Sequence, residues 1–414
     1  MTYGEATDWL FSQLPMFQRQ GPAAYKADLK GTFDVLEKLG RPDLKLSNVI
    51  HVAGTNGKGS VCTAVAESLH HQGKRVGLFT SPHLLDYRER MRVDGAVPSE
   101  EWVANFVGAH RHVFDGPEGQ PSFFEWTFGM AMCWFVESEV DAVVLETGMG
   151  GRLDSTNVFR APLLTVITNV GLDHEQFLGS DIRSIAREKA GIIKDGIPVV
   201  MGRMRPEAQS VVLAAASRMG AETHYAAVSQ SLNTEVDGPH WPENRATAHK
   251  ALEVLASLQF GKDLVVPSIE SLSKDLHWGR WQWLKPMGCA GRVLVDCAHN
   301  VDGLDRTLAA LAALTFTRWH VVTGAVADKD LTGLLTRLPK EANYYFCAAD
   351  IPRALPAQQL VDMAGKYGLH GAAYTSVRDA YTVACKSASK GELVLVLGSI
   401  FVAAEVLASE AKSS

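Results

Sequence analysis

The chain has 414 residues, of which 46% are hydrophobic, and a formal net charge of −6. This length allows two or more domains of the usual size, each with a well-filled core. The acidic excess is mild and spread along the chain, without the basic stripes that bind nucleic acid or a membrane surface. We therefore expect neither nucleic acid nor a membrane to be a main partner.

The cysteines and the N-terminal segment both indicate a cytoplasmic protein. Six cysteines lie at irregular spacings in mostly apolar contexts and form no Cys-x-x-Cys pair, so we expect reduced core residues. The first 14 residues carry Glu5 and Asp8 in an amphipathic pattern, which is unlike a signal peptide. No uncharged apolar run is long enough for a membrane span.

The first half of the chain alternates short apolar runs with helical segments. Two amphipathic helices are predicted at about 5–14 and 28–39, before the alternation begins. The alternation itself is typical of a parallel sheet with crossover helices. The predicted strands lie at 49–53, 75–79, 142–145, 163–168 and 197–201.

The second half restarts the same pattern after an interruption. Breaker residues at 229–242 predict an irregular connection, followed by a helix at 243–260. Beyond 278–283 the sequence predicts a strand at 292–296, a helix at 304–314 and strands at 319–323 and 393–397. We therefore predict an α/β protein, in which a P-loop ATPase domain with a mostly parallel sheet occupies 1–285. A smaller, Rossmann-like α/β C-terminal domain occupies 286–414, with the boundary near 285–288.

Residues 47–60 read as a buried strand that runs into a phosphate-binding loop. Such a loop needs glycines whose backbone N–H groups face the phosphate, a lysine for the outer phosphates and a hydroxyl for the metal. Gly54, Gly57, Gly59, Lys58 and Ser60 supply all of these. A helix that begins near Gly59 would also direct its N-terminal dipole at the same anion. The alternative, a glycine-rich turn before an ordinary helix, is disfavoured by the strand and helix on either side, so we predict that the chain binds ATP.

Further candidate residues follow two later strands. Glu146 comes directly after the predicted strand at 142–145, at a sheet edge where ligands bind, and its oxygens suit magnesium. Asp173, His174 and Glu175 follow the strand at 163–168 in the same way. Taken singly, Glu146 also reads as a solvated loop charge and His174 as a structural residue. Lys189, judged by periodicity alone, lies at a helix end with solvated charges.

Together these segments reach the point at which the chain resembles a family, the folylpolyglutamate synthase and dihydrofolate synthase branch of the Mur ligase superfamily. The resemblance covers most of the chain in order and rests on HVAGTNGKGS (51–60), TSPHL (80–84), ETGMGGRLDSTN (146–157), DHEQFLG (173–179), EKAGIIK (188–194), WGR (278–280), DCAHN (296–300) and DKD (328–330). It implies a Mur ligase-type ATP-binding domain at 1–285 and a Mur ligase-type C-terminal glutamate-ligase domain at 286–414. The glycine between Lys58 and Ser60 is a feature of this family.

The resemblance implies an activity and an ATP site. Family members use ATP to convert a substrate carboxylate into an acyl phosphate, and the amine of an amino acid then displaces the phosphate to form an amide. The matching motifs imply that the ATP contacts are Gly54, Thr55, Asn56, Gly57, Lys58, Gly59, Ser60, Asn244, Arg280 and Asp296. Lys58 would offset the charge that develops during phosphoryl transfer.

The resemblance also implies two magnesium ions. Ser81 and Glu146 match the ligands of one ion, and His174 matches a ligand of the second. Lys189 occupies the place of the family lysine that is carbamylated and so becomes an anion that helps to hold the second ion. Lys58, Lys189 and His174 are therefore the predicted catalytic residues, at a cleft between the two α/β domains.

The acceptor and glutamate contacts are implied in the same way. They are Ser122, Phe123, Phe124, Glu125, Leu153, Asp154 and Ser155 for the pterin acceptor, and His299 for glutamate. An aromatic and carboxylate set suits a flat heterocycle. The aromatic side chains also fit the core face of the helix that continues to Trp134, so both interpretations remain open for them, whereas function is favoured for Glu125. At 28–31 the chain reads Asp-Leu-Lys-Gly where the family often carries Gly-Leu-x-Arg, and residues 20–25 before it also differ.

The leading hypothesis is a ligase that adds L-glutamate to dihydropteroate and to reduced folates, using small-molecule substrates only and working as a monomer. One alternative is a folylpolyglutamate synthase alone, and another is a Mur ligase that acts on a nucleotide-linked sugar. A P-loop regulator that hydrolyses ATP to switch a partner is the alternative from a different class. The 51–60 and 80–84 motifs favour the folate branch.

Overall fold

The computed structural model describes residues 1–16, 28–114, 120–227, 238–272 and 279–411. Contacts divide the chain into two units, Met1–Gln230 with Trp241–Leu276 and Ser231–His240 with His277–Ser414. Each unit contains a mostly parallel sheet, so the α/β class is confirmed. The 20–25 segment, Trp278 and most of the predicted connection at 229–242 lie outside the described residues. Across the described ranges, no helix is both long and apolar enough to cross a membrane.

The first unit contains a seven-stranded sheet with the strand order β3-β2-β4-β1-β5-β6-β7. Its strands are β1 (Val49–Ala53), β2 (Val76–Phe79), β3 (Met91–Val93), β4 (Ala142–Glu146), β5 (Leu164–Ile167), β6 (Val199–Met201) and β7 (Thr223–Tyr225). Only the β2–β3 pair is antiparallel. The central strands β1, β4 and β5 are buried along their whole length, which is why they read as continuous apolar runs.

The helices of the first unit cover this sheet. They are α1 (Tyr3–Gln13), α2 (Lys30–Lys38), α3 (Lys58–His70), α4 (Glu100–His110), α5 (Phe123–Glu137), α6 (Glu175–Leu178), α7 (Ile182–Ala190), α8 (Pro206–Arg218) and α9 (Trp241–Ser257). Ile50 and Val52 of β1 join a core cluster with α3 and α9, whereas Val49 joins a second cluster that contains much of α5. The alternation of β1 side chains between two faces therefore fixes a helical layer on each side of the sheet.

Two predicted boundaries shift for reasons that involve proline. Strand β6 begins at Val199 rather than at residue 197, because Pro198 has no backbone N–H to donate to a neighbouring strand. Helix α9 begins at Trp241, two residues earlier than predicted. Pro242 was interpreted as a breaker, but proline is tolerated in the first turn of a helix, where its missing N–H would have no partner.

The second unit contains a six-stranded sheet with the order β12-β11-β10-β13-β9-β8. Its strands are β8 (Gln282–Leu284), β9 (Arg292–Val295), β10 (Trp319–Thr323), β11 (Asn343–Phe346), β12 (Gly371–Ala373) and β13 (Leu393–Leu397). Its helices are α10 (Val301–Ala312), α11 (Thr332–Leu335), α12 (Ala357–Gly365), α13 (Val377–Ser387) and α14 (Ile400–Ala411). A boundary near 285–288 would assign β8 to the first domain, but β8 pairs antiparallel with β9 and therefore belongs to the second unit.

The strand order of the first unit determines where its polar segments meet. Strand β1 pairs in parallel with β4 on one side and with β5 on the other. The segments that leave the carboxyl ends of these three strands therefore emerge side by side. They are the loop at 54–57, the loop at 147–157 and the segment at 168–174, which carry several of the residues singled out from the sequence.

Candidate active site

The phosphate loop is held by tight backbone packing. Gly57 has φ of 80°, in the left-handed region, and it caps the N-terminus of α3. A side chain at Gly57 would place its Cβ 2.1 Å from Oδ1 of Asn244. Glycine is therefore required at this position both for its backbone conformation and for space. Asn244, which the sequence assigned to ATP, lies directly against the loop.

The segment after β5 fixes the other side of the loop. The Thr55 hydroxyl donates to the carbonyl of Gly171 at 3.1 Å and accepts from its amide at 2.9 Å. The Asn56 amide donates to Oδ1 of Asn169 at 2.8 Å, and the Thr168 hydroxyl donates to the carbonyl of Asn56 at 2.6 Å. Sequence reasoning assigned no role to Thr168 or Asn169, although their place directly after a buried strand was a usable signal.

Lys58 lies over the phosphate loop. Its ammonium group donates to the carbonyl oxygens of Gly54 at 3.1 Å and Thr55 at 3.3 Å. The lysine begins α3, so its charge and the positive end of the helix dipole lie in the same place. This arrangement provides a preformed environment for a polyphosphate.

Ser81 and Glu146 come together next to the same loop. The Ser81 amide donates to Oε2 of Glu146 at 2.9 Å. A Cβ at Gly59 would lie 3.3 Å from that same oxygen, so the carboxylate lies beside the first turn of α3. Glu146 is only 4% exposed, which excludes the interpretation as a solvated loop charge. A hydroxyl and a buried carboxylate beside a phosphate loop form a donor set that suits a hard cation.

Lys189 is buried against the phosphate loop, with 3% of its surface exposed. Its ammonium group donates to the carbonyl of Gly54 at 2.9 Å. Burial lowers the pKa of Lys189 to about 7, assisted by the charge of Lys58 and opposed by Asp173 and Asp154. The interpretation of Lys189 as a solvated helix-end charge is therefore wrong, because helix α7 turns this side chain inward.

The loop after β4 packs on the end of α7 and so helps to position Lys189. A Cβ at Gly151 would lie 2.8 Å from the carbonyl oxygen of Glu188 and 2.9 Å from that of Lys189. The Arg152 amide donates to the Glu188 carbonyl at 2.8 Å, and its guanidinium pairs with the Glu188 carboxylate at 2.9 Å. The GMGGRLDSTN and EKAG motifs therefore form one packed unit.

His174 has a backbone conformation that is uncommon for its residue type. Its φ is 52° and its ψ is 37°, in the left-handed region, and it precedes helix α6. Its amide donates to Oδ1 of Asp173 at 3.0 Å. Non-glycine residues in this region often occur at functional sites, where the surrounding structure maintains the strain.

The predicted acceptor segment forms the start of helix α5. The Ser122 hydroxyl accepts from the Glu125 amide at 3.2 Å, and Oε2 of Glu125 accepts from the Ser122 amide at 2.7 Å. This reciprocal pair is a capping box, which the Ser-x-x-Glu spacing could have revealed. A Cβ at Gly31 would lie 2.2 Å from Oε1 of Glu125. The buried carboxylate therefore has a structural role that the sequence-based preference for function overlooked.

The aromatic residues of this segment divide between two roles. Phe123 and Phe128 are buried in the core cluster, as the core-face interpretation predicted. Phe124 is only partly buried and lies with its ring 5.7 Å from that of Phe79. A Cβ at Gly148 would lie 2.6 Å from the Phe124 ring, so this ring contacts the loop after β4.

Leu153, Asp154 and Ser155 lie in that loop. Asp154 is buried and accepts from the amides of Met149 at 2.8 Å and Thr156 at 3.0 Å. Burial raises its pKa, and these hydrogen bonds oppose the shift. Leu153 and Ser155 are partly exposed on either side of it. Asp154 thus holds the loop in shape, and its two neighbours are the more exposed residues of this segment.

The remaining predicted residues cluster in the second unit after β9. The Asp296 carboxylate accepts from the amides of Trp281 at 2.9 Å and Ala298 at 2.8 Å. Burial raises its pKa, which the nearby charge of Arg280 opposes.

His299 follows in the same loop. Its Nδ1 lies 2.9 Å from the carbonyl oxygen of Cys297, which can only accept, so Nδ1 carries the proton. The Lys329 ammonium group donates to the carbonyl of His299. The DCAHN and DKD motifs therefore meet at one place, a contact that the sequence did not predict.

Comparisons with known proteins find relatives of similar sequence and fold. The family model that is described as Mur ligase, glutamate ligase domain, matches residues 279–400 of this chain. The dihydrofolate synthase/folylpolyglutamate synthase of Bacillus subtilis is 35% identical over 394 residues, which cover 87% of this chain and 88% of that protein. The Escherichia coli FolC structure in complex with DHPP and ADP superposes with a TM-score of 0.83 at 29% identity, covering 100% of this chain and 99% of that one. The Yersinia pestis folylpolyglutamate synthase/dihydrofolate synthase complexed with AMPPNP and Mn gives 0.79 at 28% identity, with 99% and 98% covered.

Proposed function

The chain belongs to the dihydrofolate synthase/folylpolyglutamate synthase family of ATP-dependent ligases, and we propose that it joins L-glutamate to dihydropteroate and to the glutamate tail of reduced folates. The observation that carries the proposal is the convergence of Lys58, Glu146 and Lys189 on one phosphate loop. A cation for phosphates, a carboxylate for a metal and a second, buried amine are what an acyl phosphate mechanism requires there.

The proposed chemistry has two steps. An oxygen of the acceptor carboxylate attacks the γ-phosphorus of ATP, the bond to the β–γ bridging oxygen breaks, and ADP leaves with the electron pair. The glutamate amine then attacks the acyl carbon, phosphate leaves with its electron pair, and the nitrogen loses a proton to give the amide. Lys58 and the N-terminus of α3 stabilise the charge that moves to the bridging oxygen in the first step.

The donor set around Glu146 fits a magnesium ion. The Ser81 backbone amide contacts the Glu146 carboxylate, so both residues lie beside the loop, where a carboxylate and a hydroxyl could serve a cation. Bound magnesium supplies neutralisation of phosphate charge. Among the described residues, no group of three His, Cys, Asp or Glu side chains could hold a metal alone. The proposed ions therefore depend also on the Ser81 hydroxyl, on phosphate oxygens and, for the second ion near His174, on a modified Lys189.

Carbamylation of Lys189 is the second part of the proposal. Carbon dioxide adds to a neutral amine, forming an N–C bond and releasing a proton. The burial of Lys189 against Gly54 supports this, because burial disfavours the ammonium form. With a pKa of about 7, a substantial share of the side chain is then a neutral amine near neutral pH. The product is an anion, which suits a metal where the ammonium group would repel one.

We assign the other residues by the family match. Asn244, which lies against Gly57, contacts the nucleotide, and the same match assigns nucleotide contacts to Arg280 and Asp296. His299 contacts glutamate, while Ser122, Phe124, Leu153 and Ser155 contact the acceptor, with Phe123, Glu125 and Asp154 shaping the walls behind them. We also propose that the protein is a monomer and that it works in the cytoplasm.

The experiment that tests this function is an acceptor comparison. Purified protein receives ATP, magnesium and labelled glutamate with dihydropteroate, with tetrahydrofolate or with a nucleotide-linked sugar acceptor. Labelled product with both pterins supports the proposal, and product with tetrahydrofolate alone reduces it to a folylpolyglutamate synthase. Product with the sugar nucleotide alone identifies another Mur ligase. Phosphate release without acceptor or glutamate, and no product, identifies a regulatory ATPase instead.

A further inference from the structure

A buried chain of hydrogen bonds joins strand β1 to the loop after β4. Nε2 of His51 lies 2.8 Å from the Thr156 hydroxyl oxygen, and that hydroxyl lies 2.6 Å from Oδ1 of Asp154. His51 and Thr156 are 0% exposed and Asp154 is 6% exposed, so water cannot replace these contacts without a rearrangement.

The Asp154 end of these hydrogen bonds determines which group donates its proton to which. Both carboxylate oxygens of Asp154 already accept from backbone amides, Oδ2 from Met149 and Oδ1 from Thr156, and Oδ1 also accepts from the Thr156 hydroxyl. The Thr156 hydroxyl therefore donates its single proton to Asp154 and accepts from His51. The proton of neutral His51 must lie on Nε2, which leaves Nδ1 as an unprotonated acceptor.

The other ring nitrogen shows that this histidine is not optimal for stability. Nδ1 of His51 is buried and has no hydrogen-bond partner among the described residues. An apolar side chain in the centre of β1 would avoid that unpaired group. A polar residue kept in a core at such a cost is expected to serve the site rather than the fold.

The hydrogen bonds from His51 through Thr156 to Asp154 link two segments that have different roles in the reaction. His51 lies three residues before Gly54 on the strand that carries the phosphate loop. Asp154 lies between Leu153 and Ser155, and the Ser155 hydroxyl accepts from Thr32 at 2.9 Å. Strand β1 thus holds the phosphate loop directly and the acceptor loop through Thr156.

We propose that His51 and Thr156 are positioning residues that hold the 153–155 loop in register with the phosphate loop, so that the acceptor carboxylate meets the γ-phosphate. The proposal rests on the proposed function, because it concerns the acceptor of that reaction. Neither residue touches a substrate. A small misplacement of one reactant lowers the rate strongly, since phosphoryl transfer requires close and aligned atoms.

The test replaces Thr156 with valine, which keeps the shape and removes the hydroxyl. The expected result is a fall of about tenfold or more in kcat/KM for the pterin acceptor, with the KM for ATP unchanged within about twofold. Thr156→Ser restores the hydroxyl and should recover most of the activity. Thr165→Val is the matched control, because Thr165 is an equally buried threonine that pairs with His51 in the sheet but donates to Pro198 instead.

Hydrogen exchange of the substrate-free protein provides a readout that does not depend on any acceptor. Thr156→Val should speed exchange at the Met149 and Thr156 amides, and Thr165→Val should leave those amides unchanged. A further outcome is that the wild-type protein makes no folate product although Thr156→Val speeds exchange at these two amides. In that case the proposed function fails, while the hydrogen bonds of Thr156 are still shown to hold the loop. If Thr156→Val keeps wild-type acceptor kinetics, or loses no more than Thr165→Val, the positioning role is overturned.

Discussion

At the scale of single residues, the buried environment of Lys189 gives the most specific prediction about the mechanism. The side chain is buried, donates to Gly54 and has its pKa lowered to about 7. Replacing it with alanine removes the anion that carbamylation would create and leaves a cavity of matching size. We expect Lys189→Ala to lower amide formation by two orders of magnitude or more, because removal of a group at a metal-assisted transfer site costs roughly that much.

Added small carboxylates provide the diagnostic measurement for Lys189→Ala. Formate or acetate should enter the space left by the side chain and restore part of the rate, whereas chloride at the same concentration should not. Lys45→Ala, which removes an exposed lysine, is the control and should behave like the wild-type protein with or without carboxylate. Unchanged activity in Lys189→Ala would remove this lysine from the mechanism.

Sequence reasoning about single residues was weakest for Lys189, whose environment depends on a contact between distant segments. Periodicity placed Lys189 at a helix end with solvated charges, and only the family motif indicated otherwise. Its burial arises from the carbonyl of Gly54, which is 135 residues away. Glu125 is the opposite case, because its carboxylate completes a local capping box that the Ser-x-x-Glu pattern already contained, while its acceptor contact stays a prediction.

At the scale of elements, the turn from β1 into α3 determines the phosphate loop. Gly57 and Gly73 offer a matched comparison, since their φ values are 80° and 79°. A Cβ at Gly57 would lie 2.1 Å from Asn244, whereas a Cβ at Gly73 has nothing within 4 Å. Gly73→Ala should therefore cost only the backbone strain, on the order of 1–2 kcal/mol.

Gly57→Ala should lose nucleotide binding in addition to the same strain, because Asn244 and the loop must move apart. A fluorescent ADP analogue measures the affinity, and urea unfolding measures the stability of both variants. The prediction is wrong if Gly57→Ala and Gly73→Ala bind the analogue with equal affinity.

The sequence predicts the buried strands well and the sheet edges poorly, for a physical reason. Strands β1, β10 and β13 form at the predicted residues because they are mostly apolar runs that are buried over nearly their whole length. The edge strands β7 and β12 were missed, since each has three residues and none of them is buried. Such strands are defined by their neighbours rather than by a pattern of their own.

At the scale of the whole molecule, buried neutral histidines predict sensitivity to acid. Burial lowers the pKa of His51 to about 3, and loss of solvent around the partly buried His83 lowers the pKa of that ring well below its usual value. In the unfolded chain these side chains take up protons below about pH 6.5, whereas the folded protein does not. Their contribution to stability is therefore complete above that pH and is lost as the pH falls towards 3.

His51→Leu tests this contribution by removing one titrating group. One histidine that is protonated only in the unfolded chain lowers the free energy of unfolding by roughly 1.4 kcal/mol for each pH unit below its unfolded pKa. Between pH 6.5 and 5 the wild-type protein should therefore lose about 2 kcal/mol more of its free energy of unfolding than the His51→Leu variant does. His71→Leu, at an exposed histidine, should keep the wild-type pH dependence. Equal slopes in all three proteins, measured by urea unfolding, would contradict the assignment.

Both sheets place several of their predicted site residues after the carboxyl ends of parallel strands. The first does so after β1, β4 and β5, and the second does so after β9. This part of the organisation follows from the sequence, because an apolar run followed by glycine or a carboxylate predicts a strand end at a binding edge. Contacts such as those of Asn244 with Gly57 and of Asp154 with Thr156 do not follow, since they depend on how loops pack.

The central claim is that the chain activates an acceptor carboxylate as an acyl phosphate, and oxygen transfer tests it most directly. Dihydropteroate labelled with ¹⁸O in its carboxylate is incubated with the protein, ATP, magnesium and L-glutamate, and the released phosphate is analysed by mass spectrometry. The account predicts one ¹⁸O atom in each phosphate released with product, because the carboxylate oxygen that attacks phosphorus leaves with it. Phosphate without ¹⁸O, released alongside product or in its absence, would contradict the account.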